Sequence, residues 1–122
     1  MARRGGTVAV IEDDEGMREA MESLLVAAGF DTAVYASAEE FLKRGPLDHA
    51  SCIVCDVRLP AMSGIELLME LRRRGASSPV IVITAHDSPA LRKEASRCGA
   101  VAYLAKPFAG AALLDAIESA SH

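Results

Sequence analysis

Five polar residues punctuate an apolar pattern at places where they can do chemistry. Asp13 and Asp14 follow the β-rich run TVAVIE, Asp56 follows SCIVC, Thr84 follows VIVI, and Lys106 follows VAYLA. An unpaired carboxylate at the end of a buried strand is expensive, so Asp56 must reach water, meet a cation or react. Carboxylate oxygens without thiolates or imidazoles suit a hard divalent cation. A sparse set that leaves room for water and phosphate oxygens favours Mg²⁺ over an all-protein calcium cage. A carboxylate can also act as a nucleophile and form an aspartyl phosphate, provided a metal and a cation neutralise the incoming phosphoryl oxygens. Lys106 and the Thr84 hydroxyl are the right residue types for that work.

Dozens of residues separate these groups, so a fold must bring them together. TVAVIE (7–12) reads as a strand, and Met17, Ala20, Met21, Leu24, Leu25 and Ala28 recur at helical spacing before a stop at Gly29. DTAVYA is a second strand. Ser37 and Glu40 have capping-box spacing at the start of a helix that Gly45-Pro46 ends. SCIVC is the third strand, and Ser63 and Glu66 repeat the capping-box spacing before IELLMELRRRG. PVIVITAHD is the fourth strand, with Ser88-Pro89 opening a helix that closes at Gly99. VAYLA is the fifth, and GAALLDAIESA a last helix. The runs VAVI, CIVC and VIVI are apolar on both faces, which predicts a parallel, doubly wound α/β sheet of five strands and five helices. In such sheets functional groups collect outside the carboxyl ends of the strands, where all five polar residues would lie.

The totals agree with one domain over residues 1–122. Hydrophobic residues make up 51% and aromatics only 4%, so the core is aliphatic. A net charge of −4 argues against a nucleic-acid surface, and no apolar run has membrane-spanning or signal-peptide length. A cytoplasmic protein with neither a nucleic-acid nor a membrane partner is expected. Cys52 and Cys55 resemble C-x-x-C, but on a strand such residues face opposite sides, so they read as small core residues.

Taken together, IEDDEGMRE, CDVRLPAMSGIELL, VIVITAHD and AYLAKPF resemble, in order and spacing, the receiver domain of two-component response regulators, a CheY-like fold, over essentially the whole chain. SAEEFL and MSGIELL are most similar to FixJ-type receivers, which usually precede a helix-turn-helix output domain; none is recognisable here. The resemblance implies a domain that takes phosphate from a histidine kinase, a phosphotransfer protein or a small phosphodonor. Asp56 would be the phosphoacceptor, Asp13 and Asp14 would hold Mg²⁺, one of them through water, and Arg58 would lend its backbone carbonyl. Lys106 would pair with the phosphoryl oxygens, Thr84 would move to meet them, and Tyr103 would change rotamer. The resemblance also implies a cis Lys106-Pro107 bond. The changed face of the fourth helix, fifth strand and fifth helix would be read by an output protein or domain, or by a second copy. Arg92, Lys93, Glu94 and Arg97 on the fourth helix weaken a hydrophobic pairing model.

Blander readings stand beside these. Asp13 and Asp14 could serve the dipole of the first helix. Thr84 could be a β-branched strand residue, Tyr103 amphipathic packing, and Arg58 and His86 solvated loop side chains. For the whole chain the alternatives are a Mg²⁺-dependent phosphatase with an aspartyl nucleophile, or an interaction module that ignores phosphate. Against the first, the residue two beyond Asp56 is Arg58 rather than a general acid. The expectation is therefore not an enzyme but a switch that assists only its own phosphorylation and dephosphorylation.

Overall fold

The computed structural model describes residues 6–45 and 49–120. Pro46, half of the expected Gly45-Pro46 stop, and the ends of the 1–122 span lie outside them. The strands are β1 (Thr7–Ile11), β2 (Asp31–Tyr35), β3 (Ala50–Asp56), β4 (Val80–Thr84) and β5 (Ala102–Ala105). The helices that alternate with them are α1 (Glu15–Ala27), α2 (Ala38–Arg44), α3 (Gly64–Arg73), α4 (Pro89–Arg97) and α5 (Gly110–Ala120). All pairings are parallel, in the order β2-β1-β3-β4-β5.

Alternation along the central strands builds two cores. Val8, Val10, Cys52, Val54, Ile81 and Ile83 face α1 and α5, where Met21, Leu25, Leu113 and Ile117 complete the layer. Ala9, Ile11, Ile53, Cys55, Val80 and Val82 face α2, α3 and α4, against Phe41, Ile65, Leu67, Leu68, Leu71 and Ala95. Each fully buried Leu or Ile contributes about 1.5–3 kcal/mol, so the central strands are held firmly from both sides. Cys52 and Cys55 fall in different cores, as their spacing predicts, and burial pushes both thiols up to about 12.

The helix starts follow the sequence signals closely. Ser63 and Glu66 form a reciprocal capping box on α3, and Ser88 caps α4 with Pro89 as its first residue. Ser37 caps α2 through Glu40 N–H, but the Glu40 carboxylate accepts from Ala36 N–H, one residue upstream of the position a full box uses. The Lys106-Pro107 bond is cis. Among the described residues no helix is long and apolar enough to cross a membrane.

Candidate functional site

Strand register alone assembles the site. On β1 and β3 Ile11 lies beside Cys55, so one further step puts Glu12 beside Asp56. On β3 and β4 Asp56 lies beside Ile83, and Thr84 in turn lies beside Ala105 on β5, one residue before Lys106. The sheet order reverses between β1 and β3, where a crevice opens at the carboxyl ends of such strands.

Asp56 ends β3 at only 5% exposure, and both its oxygens are occupied. Arg58 N–H donates to Oδ1 at 2.9 Å, and Lys106 Nζ to Oδ2 at 2.6 Å. The same ammonium donates to Glu12 Oε1 at 2.7 Å, while Asp14 N–H donates to Glu12 Oε2 at 3.1 Å. Glu12 is 1% exposed. Its burial, helped by the negative charge of Asp56, raises its pKa above the ordinary glutamate value against the pull of Lys106 and the Asp14 amide. Burial also works against charge on Lys106, but its hydrogen bonds to Asp56 and Glu12 together win, so its pKa lies above the ordinary lysine value.

Oxygens of Glu12, Asp13 and Asp56 lie within 4.8 Å of one another, with Asp13 exposed at the mouth. This corrects the sequence reading of the acid pair. Asp14 does not join the cluster: its carboxylate accepts from Met17 N–H at 2.8 Å and caps α1. Its place is taken by Glu12, one strand position earlier. Glu12 was missed because it was counted as the last residue of the strand. Aligning the ends of VAVI and CIVC would have found it, since Glu12 and Asp56 each follow the matched run. The donor set fits Mg²⁺: three carboxylates with no thiolate or imidazole, two of them (Glu12 and Asp56) sharing one ammonium, and an open side where waters and phosphate oxygens can complete the shell.

Of the remaining candidates Arg58 alone hydrogen-bonds Asp56, and it does so through its backbone. Thr84 is fully buried, and its Oγ1 accepts from His86 N–H at 2.9 Å. The Arg58 side chain is exposed, and the contact it makes with Asp56 is through its amide. Tyr103 packs partly against the α2–α4 side of the core. Its hydroxyl donates to Asp87 Oδ1 at 2.9 Å, and the Arg92 guanidinium sits 4.4 Å above its ring. Burial first, and then the Asp87 hydrogen bond, raise its pKa above the ordinary tyrosine value. Neither Asp87 nor Arg92 was singled out as a partner of Tyr103, because the contact joins a loop, a helix and a strand that only the folded chain brings together.

Residues 8–118 match the model of the response regulator receiver domain. The chain is 46% identical over 113 residues to the transcriptional regulatory protein FixJ of Azorhizobium caulinodans, covering 92% of this chain and 53% of that protein. It is 40% identical over 114 residues to nodulation protein W of Bradyrhizobium diazoefficiens, covering 93% of this chain and 50% of that one. It thus spans about half the length of these curated relatives. Among solved structures it superposes on FixJ-N with a TM-score of 0.89 at 37% identity, covering 97% of this chain and 94% of that one. The Francisella response regulator 1452 receiver domain gives a TM-score of 0.90 at 29% identity, with 96% and 97% covered. With the fold, the acidic pocket and these relatives in agreement, the chain belongs to the response regulator receiver domains of two-component systems.

Proposed function

We propose that the domain is a phosphoacceptor switch in which Asp56 takes a phosphoryl group from the phosphohistidine of a kinase or phosphotransfer protein. An Asp56 carboxylate oxygen forms a bond to phosphorus as the phosphorus–nitrogen bond breaks, and the electron pair stays on the imidazole of the donor. Glu12, Asp13 and Asp56, with the Arg58 carbonyl, would hold Mg²⁺, which when bound offsets charge on the phosphoryl oxygens. What supports this most is the Lys106 ammonium, 2.6 Å from Asp56 Oδ2, poised to stay with the oxygens that arrive there. Thr84 would give up its bond from His86 N–H and donate its hydroxyl to the new oxygens. Tyr103 would then turn inward and change the α4-β5-α5 face for an output protein, an output domain or a second copy. The domain turns over no separate substrate in this scheme, and it works in the cytoplasm without nucleic acid or membrane.

Asp56→Asn is nearly isosteric and lacks the nucleophile. With acetyl phosphate and Mg²⁺ the wild type should gain one phosphoryl group that hydroxylamine removes, while the variant should gain none. Equal labelling of both proteins would overturn the assignment of Asp56.

A further inference from the structure

The loop after Asp56, residues 57–63, is closed from within by Arg58 N–H on Asp56 Oδ1 and by Gly64 N–H on Val57 O, both at 2.9 Å. A third bond reaches it from outside. Glu39, in the first turn of α2, accepts from Met62 N–H at 3.1 Å across 23 residues of sequence. α2 does not use Glu39 for its own cap, since Ser37 and Glu40 supply those bonds. The carboxylate is thus spent on the loop.

Its point of attachment matters. Met62 follows Ala61, which holds a φ of 62°, a left-handed conformation that a residue with a Cβ keeps only when its neighbours impose it. Val57, Leu59 and Met62 lean on the same core layer that α2 covers, so the loop is packed as well as hydrogen-bonded. The same short segment begins with the Arg58 amide that fixes one oxygen of Asp56.

We infer that Glu39 is a positioning residue for the phosphorylation of Asp56, pinning Met62 so that the Arg58 amide stays on the acceptor carboxylate. This rests on Asp56 being the phosphoacceptor, and Glu39 itself touches neither Asp56 nor the metal cluster. Attack on phosphorus demands a well-placed oxygen, and a displacement of about 1 Å can cost on the order of 100-fold in rate.

The test compares Glu39→Ala with Glu39→Gln, whose amide oxygen can still accept from Met62 N–H, and with Leu42→Ala, which loosens α2 without removing that bond. Phosphorylation from acetyl phosphate at saturating Mg²⁺, the Arg58 and Met62 amide resonances, and urea stability are read for each. Glu39→Ala should slow phosphorylation roughly tenfold, a fraction of the loss expected for a full ångström of displacement, and should shift both amides. Glu39→Gln should restore both, and Leu42→Ala should lose stability with its rate and amides nearly unchanged. If Glu39→Ala does not fold, Glu39→Asp, whose reach is one methylene shorter, replaces it with the same expectations. A wild-type rate in Glu39→Ala, or a shift of Met62 that leaves Arg58 unmoved, overturns the inference. Absence of phosphorylation in the wild type would instead count against Asp56 as acceptor, and the two amides would still decide whether Glu39 sets the loop.

Discussion

The acid pocket and the Tyr103 contact both rest on an ion pair and a hydrogen bond, but in opposite surroundings. In the pocket Lys106 joins two carboxylates whose side chains are 1% and 8% exposed, at 2.7 and 2.6 Å. At Tyr103 the pair is Arg92 and Asp87, 54% and 44% exposed and 3.2 Å apart. Charge in the first place is costly to leave unmatched, so the geometry is enforced. In the second, water and salt can replace either partner with little loss. The proposed switch would use both kinds of site: a stiff one to present the carboxylate, and a soft one that a modest push can rearrange.

Breaking the stiff side should have the largest effect. Lys106→Ala leaves Glu12 and Asp56 facing each other without their shared cation. The cost at pH 7 should be about 3 kcal/mol, the lower end for a broken buried pair because the pocket opens to solvent at Asp13. The deficit should depend on pH with a definite sign. Glu12 already has a raised pKa, so the folded state holds its proton more tightly than the unfolded chain, and stability falls as pH rises through that window. Removing the ammonium raises it further, so the deficit relative to wild type should shrink between pH 7 and pH 5. Urea titrations at the two pH values test this, and a deficit that grows on acidification would contradict the pairing.

Next comes the backbone frame. A Cβ on Gly64 would run into the Asp56 carbonyl group and would lie 2.8 Å from Cys55 Sγ, atoms of a strand end with no room to yield. Gly64→Ala should therefore cost about 2 kcal/mol, as overpacking of a tight core does, and should move the Asp56 and Arg58 amides in NMR spectra. An equivalent Gly110→Ala change meets only the flexible end of Leu24 and serves as the control.

These two sites mark how far the sequence could be read. Apolar runs, capping boxes and the Ser88-Pro89 start gave the strand and helix order, because short-range physics sets them. The carboxyl-end rule brought Asp56, Thr84 and Lys106 to one edge because a parallel sheet leaves little choice. Asp14 against Glu12 turned on a single residue of register, and a strand end read one residue late sends the wrong carboxylate into the crevice. The need for a missing Cβ at Gly64 carries no signal in the sequence, since it appears only when α3 meets the end of β3. The contacts of Glu39 with Met62 and of Arg92 with Tyr103 were invisible for a related reason: the partners are 23 and 11 residues away, on other elements, and no local pattern encodes the meeting.

Relaxing strain beside the pocket should sharpen the contrast from the other direction. Ala61 holds its left-handed φ of 62° at the exposed tip of the loop that Glu39 pins. Ala61→Gly removes a Cβ penalty of about 1–2 kcal/mol and loses part of that gain to the greater freedom of glycine in the unfolded chain. A net stabilisation of about 0.5–1 kcal/mol is expected, seen as a higher thermal midpoint with the Lys106 contacts unchanged. A lower midpoint would show that the Ala61 methyl makes a contact worth more than the strain.

The smallest effect on stability belongs to the soft side, where it should carry the largest signalling consequence for its size. Arg92→Ala removes a cation over an aromatic ring and one arm of an exposed ion pair, each worth at most about 1 kcal/mol, so unfolding should change by roughly 0.5 kcal/mol. In the proposed switch those contacts act only on the state of Tyr103 in which its hydroxyl meets Asp87, and a ligand-driven switch responds to whatever separates its two states. If Arg92 and Asp87 restrain Tyr103, their loss should lower the barrier of bias that a phosphoryl group must overcome. About 0.5–1 kcal/mol corresponds to a two- to fivefold shift in the apparent affinity for beryllofluoride, which stands in for the phosphoryl group. Titration followed by the Tyr103 ring resonances should show the inward state at correspondingly lower concentration in Arg92→Ala and Asp87→Asn, with the Asp56 and Lys106 signals appearing as in the wild type. Unchanged Tyr103 populations in both variants would mean that the outward rotamer is held by its packing against the core and not by the charged pair above it.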